Sequence, residues 1–220
     1  MRNDTMAGAS TKRRRFTPVA VATGALAVAL LAGTATGTLS GFTASITNPT
    51  NTAGSGVLTM SEATTGGSPV TCNSTDGGSV STNTATCSGI NKLGGNLTMV
   101  PGQAVATTVV IKNTGTVTAN TFTLLPGSAC TASNNGAVNG SALATFCANM
   151  NVVITNGATT VFSGTAATLG TATAASFTMP ATVAPGVSTT FVITTTLASS
   201  VTNTSQGLQV SVPLVWTFTA

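Results

Sequence analysis

Histidine is absent from the 220-residue chain, and charge is scarce: Lys and Arg total seven and Asp and Glu three, 5% of residues together. Without histidine there is no Ser-His-Asp triad, no His-assisted thiol nucleophile and no His-ligated metal. Beyond the N-terminal stretch the only acids are Glu62 and Asp76. A paired-carboxylate site would need these two to meet. Both lie in or beside a polar loop and read as solvated loop charges. The glycines form no phosphate-cradling pattern between a strand and a helix. The chain is therefore expected to be no enzyme, with no catalytic residue, no metal ligand and no cofactor.

The few charges are unevenly placed. Arg2, Lys12, Arg13, Arg14 and Arg15 crowd the first fifteen residues, and after Asp4 the rest carries only Glu62, Asp76, Lys92 and Lys112. The net charge of +4 and the pI of about 9.2 thus describe the N-terminus, not a nucleic-acid-binding surface. Low charge with 42% hydrophobic residues does not match the composition of disorder. Thr, Ser and Asn fill the polar positions, and β-branched Thr suits a solvated sheet face. A near-neutral surface also lacks the repulsion that opposes self-association.

The N-terminus has the order of a secretory signal peptide: a basic segment at 12–15, a mostly apolar stretch at 19–31, then small residues at 32–41. A membrane-spanning helix needs about 20 apolar residues, and Thr34, Thr36, Thr38 and Ser40 dilute any extension. Cleavage after Ala35 or after Gly41 both fit. Residues 1–41 are accordingly read as leader and flank, 42–220 as one domain with a polar insertion at 62–90. Any contact with a membrane is expected only through the uncleaved leader, and signal peptidase is the expected partner during export.

Cys72, Cys87, Cys130 and Cys147 are an even set in an exported chain, which reads as disulfides. Three pairings are open. Cys72–Cys87 and Cys130–Cys147 are favoured because each closes a local polar loop that cannot order itself, a constraint contributing roughly 3 kcal/mol.

The remaining residues read as strands between turn clusters. Short strands are expected at 57–61, 96–100, 119–125, 150–155, 159–162 and 175–179. Over 104–113, Val105, Val109 and Ile111 alternate with Thr108 and Lys112. Over 188–197, Phe191, Ile193 and Leu197 share a face. Pro101-Gly102 and Pro185-Gly186 precede these two runs as turns. Leu143, Phe146 and Cys147 suit one or two turns of helix. Leu208, Val210, Val212, Leu214, Trp216 and Phe218 keep period two in one long half-buried strand, with Pro213 marking a bulge or edge. Trp216 thereby belongs to the core rather than to an exposed glycan-stacking face. Some nine strands with one apolar face each give an all-β, antiparallel β-sandwich or jelly roll with one short helix.

Several segments in order carry a family resemblance: Gly41-Phe42-Thr43 after the leader, Ala53-Gly54-Ser55-Gly56-Val57-Leu58-Thr59-Met60, and Leu97-Thr98-Met99-Val100-Pro101-Gly102-Gln103. Val110-Ile111-Lys112-Asn113-Thr114-Gly115 and the closing Leu214-Val215-Trp216-Thr217-Phe218-Thr219-Ala220 follow. Together they resemble the TasA/camelysin-like exported proteins of Gram-positive bacteria, including those processed by a SipW-type signal peptidase. The resemblance implies a jelly-roll fold and a secreted or cell-surface location. It also implies a role in extracellular biofilm-matrix fibres, built by an N-terminal strand that completes the next subunit's sheet. That strand would be Phe42, Thr43, Ala44, Ser45, Ile46 and Thr47, in which the apolar positions alternate as insertion requires. Head-to-tail donation does not close and yields a filament. The metallo-endopeptidase label of some members does not transfer, since this chain has no H-E-x-x-H. The expected partners are further copies of the chain, or matrix and cell-wall components. The alternative expectation is a monomeric secreted glycan- or cell-wall-binding β-sandwich module.

Overall fold

The computed structural model describes residues 50, 52–136, 138, 139 and 142–220. The leader and the segment 42–47 lie outside the described residues. Ten strands are present among the described residues, in chain order β1 (Met60–Thr64), β2 (Thr71–Asn73), β3 (Ala104–Asn113), β4 (Thr121–Pro126), β5 (Thr131–Asn134), β6 (Met150–Asn156), β7 (Thr159–Thr165), β8 (Ser188–Leu197), β9 (Leu208–Ser211) and β10 (Leu214–Thr219). β3 and β8 occupy the two spans where alternation is cleanest in the sequence. They form the central antiparallel ladder, from Ala104 opposite Thr196 to Lys112 opposite Ser188. Their inward residues Val109, Ile111, Phe191 and Ile193 are completely buried.

A six-stranded antiparallel sheet, ordered β2-β1-β3-β8-β6-β7, forms one layer. Two short ladders, β10-β4 and β5-β9, lie outside it. Phe122 of β4 meets Phe191 of β8 edge-on at 5.7 Å, and Trp216 of β10 lies 4.8 Å from the same ring. These rings join the β4-β10 ladder to the main sheet, so the chain is an antiparallel all-β sandwich.

The pairing pattern is unchanged when each strand is replaced by the one five places on. β1 pairs with β2 and β3 as β6 pairs with β7 and β8, and β4 pairs with β10 as β9 pairs with β5. Individual hydrogen bonds follow the same rule. Gly102 N donates to Leu197 O while Gly186 N donates to Asn113 O; Leu197 N donates to Gln103 O while Asn113 N donates to Val187 O. One interval separates Gly102 from Gly186 and Asn113 from Leu197. Both glycines follow proline and have positive φ, 82° and 77°, as the third position of a type II turn requires. The two Pro-Gly turns thus start equivalent strands in two equivalent halves.

Several expectations shift. The first strand covers 60–64 rather than 57–61, so the segment 62–90 is not wholly a polar insertion: it starts inside β1 and contains β2. No strand forms at 96–100, where Asn96 Oδ1 accepts from Thr98 N at 2.9 Å in a local turn. The expected strand at 175–179 is a 3₁₀ turn, Ala174–Ser176, that buries Phe177. The helix around Phe146 is present as a 3₁₀ helix, Leu143–Asn149, and a four-residue α-helix, Ala166–Leu169, accompanies it. The long final strand breaks at Val212-Pro213 into β9 and β10, which join different ladders. Proline cannot donate to a ladder, yet the inward register survives the break: Leu208, Val212 and Trp216 are all buried.

Cys72 is bonded to Cys87 and Cys130 to Cys147. Two disulfides indicate an oxidising environment such as the extracellular one. Among the described residues no helix is long and apolar enough to cross a membrane.

Candidate functional site

β1 places Glu62 opposite Ile111 on β3 and Cys72 on β2. Residues directly opposite in an antiparallel ladder share a face, so Glu62 points to the inner side, like the fully buried Ile111. A carboxylate there needs partners. Trp216 Nε1 on β10 donates to Glu62 Oε1 at 2.9 Å, and Lys92 Nζ lies 2.9 Å from the same oxygen. The Glu62 and Lys92 side chains are only 12% and 13% exposed. Indole, carboxylate and ammonium therefore tie the two layers together at the margin of the sandwich.

This corrects the reading of Glu62 as a solvated loop charge. Asp76 is exposed and accepts from Asn73 N at 2.6 Å and from Asn73 Nδ2 at 3.2 Å. The two carboxylates thus serve separate partners. The tie has a faint sequence signal: Glu62 follows Met60 at period two, so carrying the strand one residue past 61 turns it inward.

The tie lines a cleft of ≈ 600 Å³. Residues 210–218 form one wall and residues 58–62 the other, and the loop 83–93 closes one side. The Cys72–Cys87 bridge anchors that loop, and both cysteines line the cleft. The cleft runs beside an edge of β10 that no described strand pairs. Gly127 N donates to Pro213 O and Asn120 N to Thr219 O, which places the carbonyls of 213 and 219 on the β4 side. Backbone groups alternate sides along a strand. The N–H and C=O groups of Leu214, Trp216 and Phe218 therefore face away from β4, toward the open edge.

In the second half of the molecule a segment packs on the equivalent ladder. The 3₁₀ helix Leu143–Asn149, which immediately precedes β6, packs against β5, β9 and the α-helix Ala166–Leu169. It buries Phe146, and Cys147 is bonded to Cys130 just before β5. The counterpart of that segment in the first half is the chain preceding β1.

The Glu62 tie predicts a stability pattern. Glu62→Gln keeps an acceptor for the indole but leaves Lys92 without its counter-charge, at a cost of about 1 kcal/mol. Glu62→Ala costs about 2 kcal/mol, and adding Lys92→Met to it recovers part of the loss, because the stranded ammonium is then gone. Urea unfolding with an unchanged m-value checks this. If Glu62→Ala is neutral, the tie carries no energy.

Neither family models nor curated proteins give a match to this chain.

Proposed function

We propose that the chain is an exported, non-enzymatic structural protein of the cell surface or biofilm matrix, of the TasA/camelysin-like kind. Its copies assemble into fibres when one copy's residues 42–47 pair with the open edge of β10 in the next. The observation that carries this reading is the edge of β10 that no described strand pairs, with the cleft beside it. An unpaired strand edge is a template for another strand. β10 is six residues long, as is the segment Phe42 to Thr47. Phe42, Ala44 and Ile46 would turn into the cleft, where Leu58, Met60 and Leu93 offer apolar contact. The internal equivalence of the halves adds support: in the second half, the segment leading into β6 packs on the matching ladder. Near-neutrality leaves little repulsion between copies.

The glycan-binding alternative is less well supported, because Trp216 is only 8% exposed and its indole N–H is taken by Glu62. A buried indole offers no face for a sugar.

Electron microscopy of the leader-processed protein, with its N-terminus sequenced, tests the proposal. Filaments are expected from the intact chain and none after deletion of residues 42–47. A synthetic Phe-Thr-Ala-Ser-Ile-Thr peptide in excess should cap growth and shorten the filaments. An intact chain that stays monomeric at high concentration, or a deletion variant that still polymerises, sinks the idea.

A further inference from the structure

The two halves differ at the ends of the equivalent strands β3 and β8. In the first half the end of β3 is sealed. Ala119 and Val183 form an isolated bridge, both are buried, and the fully buried Asn113 donates from Nδ2 to Val117 O and Val183 O at 2.8 Å each. A recess of ≈ 230 Å³ lies nearby, lined by residues between Thr121 and Ala181, and neither Ile111 nor Asn113 lines it. In the second half the residues at the same interval are Met99 for Val183, Asn203 for Ala119, Leu197 for Asn113 and Thr195 for Ile111. No bridge joins Met99 to Asn203. A cavity of ≈ 350 Å³ lies there instead, between the loop 91–101, the end of β8 and residues 201–210.

Leu93, Met99, Phe146, Met150, Leu197 and Leu208 supply its apolar wall, and amides and hydroxyls, among them Asn96, Asn203, Ser205 and Gln206, line the rest. None of its lining residues carries a charge. Thr195 also lines it, in a register whose other inward members on β8 are Phe191, Ile193 and Leu197. Thr195 is 2% exposed, and its Oγ1 has no hydrogen-bond partner among the described residues. A buried hydroxyl left unpaired is destabilising, and threonine replaces the isoleucine of the sealed half only where the cavity opens. Rotation about χ1 exchanges the Thr195 hydroxyl with its methyl between staggered positions, so the hydroxyl can turn to an occupant.

We propose that this cavity is a binding site for a small, uncharged, mainly apolar molecule with one hydrogen-bonding group, which Thr195 Oγ1 engages. An apolar cavity of about 150 Å³ holds benzene, so this volume suits roughly ten to fifteen non-hydrogen atoms, a fused bicyclic compound for example. The absence of charge in the lining argues against a phosphate, carboxylate or amine. The cavity shares Asn91, Leu93 and Val210 with the lining of the cleft beside β10, but Thr195 lines the cavity alone.

The test uses the leader-processed chain with 2-naphthol and naphthalene as probes, followed by amide chemical shifts and by titration calorimetry. Shifts are expected in residues 93–101, 195–197 and 201–210, with 2-naphthol binding about tenfold more tightly than naphthalene. Thr195→Val is close in shape and removes an unpaired hydroxyl, so it should fold at least as stably and should bind the two probes equally. Val201→Trp, in a partly buried lining residue outside the strands, should weaken both. Absence of shifts at these residues with either probe overturns the site. A tenfold advantage for 2-naphthol that persists in Thr195→Val overturns the role of the hydroxyl.

Discussion

Phe191→Ala is expected to lower the unfolding free energy by about 4 kcal/mol, the range for removing a fully buried aromatic ring. Phe191 lies in the middle of β8 with no exposed surface. Its ring meets Phe122 edge-on at 5.7 Å and lies 4.8 Å from Trp216. Phe122 in turn contacts Trp216 at 5.8 Å and Phe218 at 4.8 Å. The four rings come from β4, β8 and β10, so Phe191 is the main sheet's contribution to the contact between layers. Collapse around the vacancy is hindered, because Phe191 is paired with Val109 of β3 and its neighbour Val192 with Thr155 of β6. Urea denaturation measures the loss. Phe191→Leu should recover about half of it by refilling volume without the ring geometry. A loss below about 1 kcal/mol for the alanine variant would mean that the layers are held together elsewhere.

The strands most legible in the sequence are those whose environment is symmetric about the backbone. β3 and β8 each have a neighbour on both sides and one buried face, so period two is clean and their boundaries coincide with the alternating spans. The errors cluster where tertiary partners override local pattern. Residues 96–100 and 175–179 have strand-like composition, but no described neighbour offers a ladder, so they turn onto the core through Met99 and Phe177. The final run keeps period two through Pro213 because burial alternates there. Pairing does not follow burial: the proline separates a half bound to β5 from one bound to β4. The local disulfides, Cys72–Cys87 and Cys130–Cys147, were favoured by the polar composition of the loops they close, with three pairings open. The cross-layer tie was not legible, because Glu62 and Trp216 lie 154 residues apart and meet only through the fold. The equivalence of the halves was equally hidden. It resides in pairing order and register, and the sequence shows it only as a repeated Pro-Gly turn.

Asn113→Leu is expected to cost about 4 kcal/mol, through lost hydrogen bonds rather than lost volume. Asn113 has no exposed surface, and its amide is fully used. Nδ2 donates to Val117 O and Val183 O, and Oδ1 accepts from Gly115 N at 3.0 Å. Leucine is similar in size but offers none of these groups. Val183 O would keep its bond from Ala119 N. Val117 O and Gly115 N would be left unpaired beneath the turn, each costing about 1–3 kcal/mol. The midpoint of thermal unfolding should fall by roughly 8–16 °C for a domain of this size. The second half supplies an internal control, since leucine is already present at the equivalent position, Leu197, where the chain beyond the strand stands off and encloses a cavity. Asn113→Leu should therefore loosen the first half toward that arrangement. Hydrogen exchange is expected to show reduced protection at Gly115, Val183 and Ala119, with protection along the middle of β3 retained. If exchange rises uniformly instead, Asn113 contributes to global stability alone, and the contrast between a sealed half and an open one does not rest on this residue.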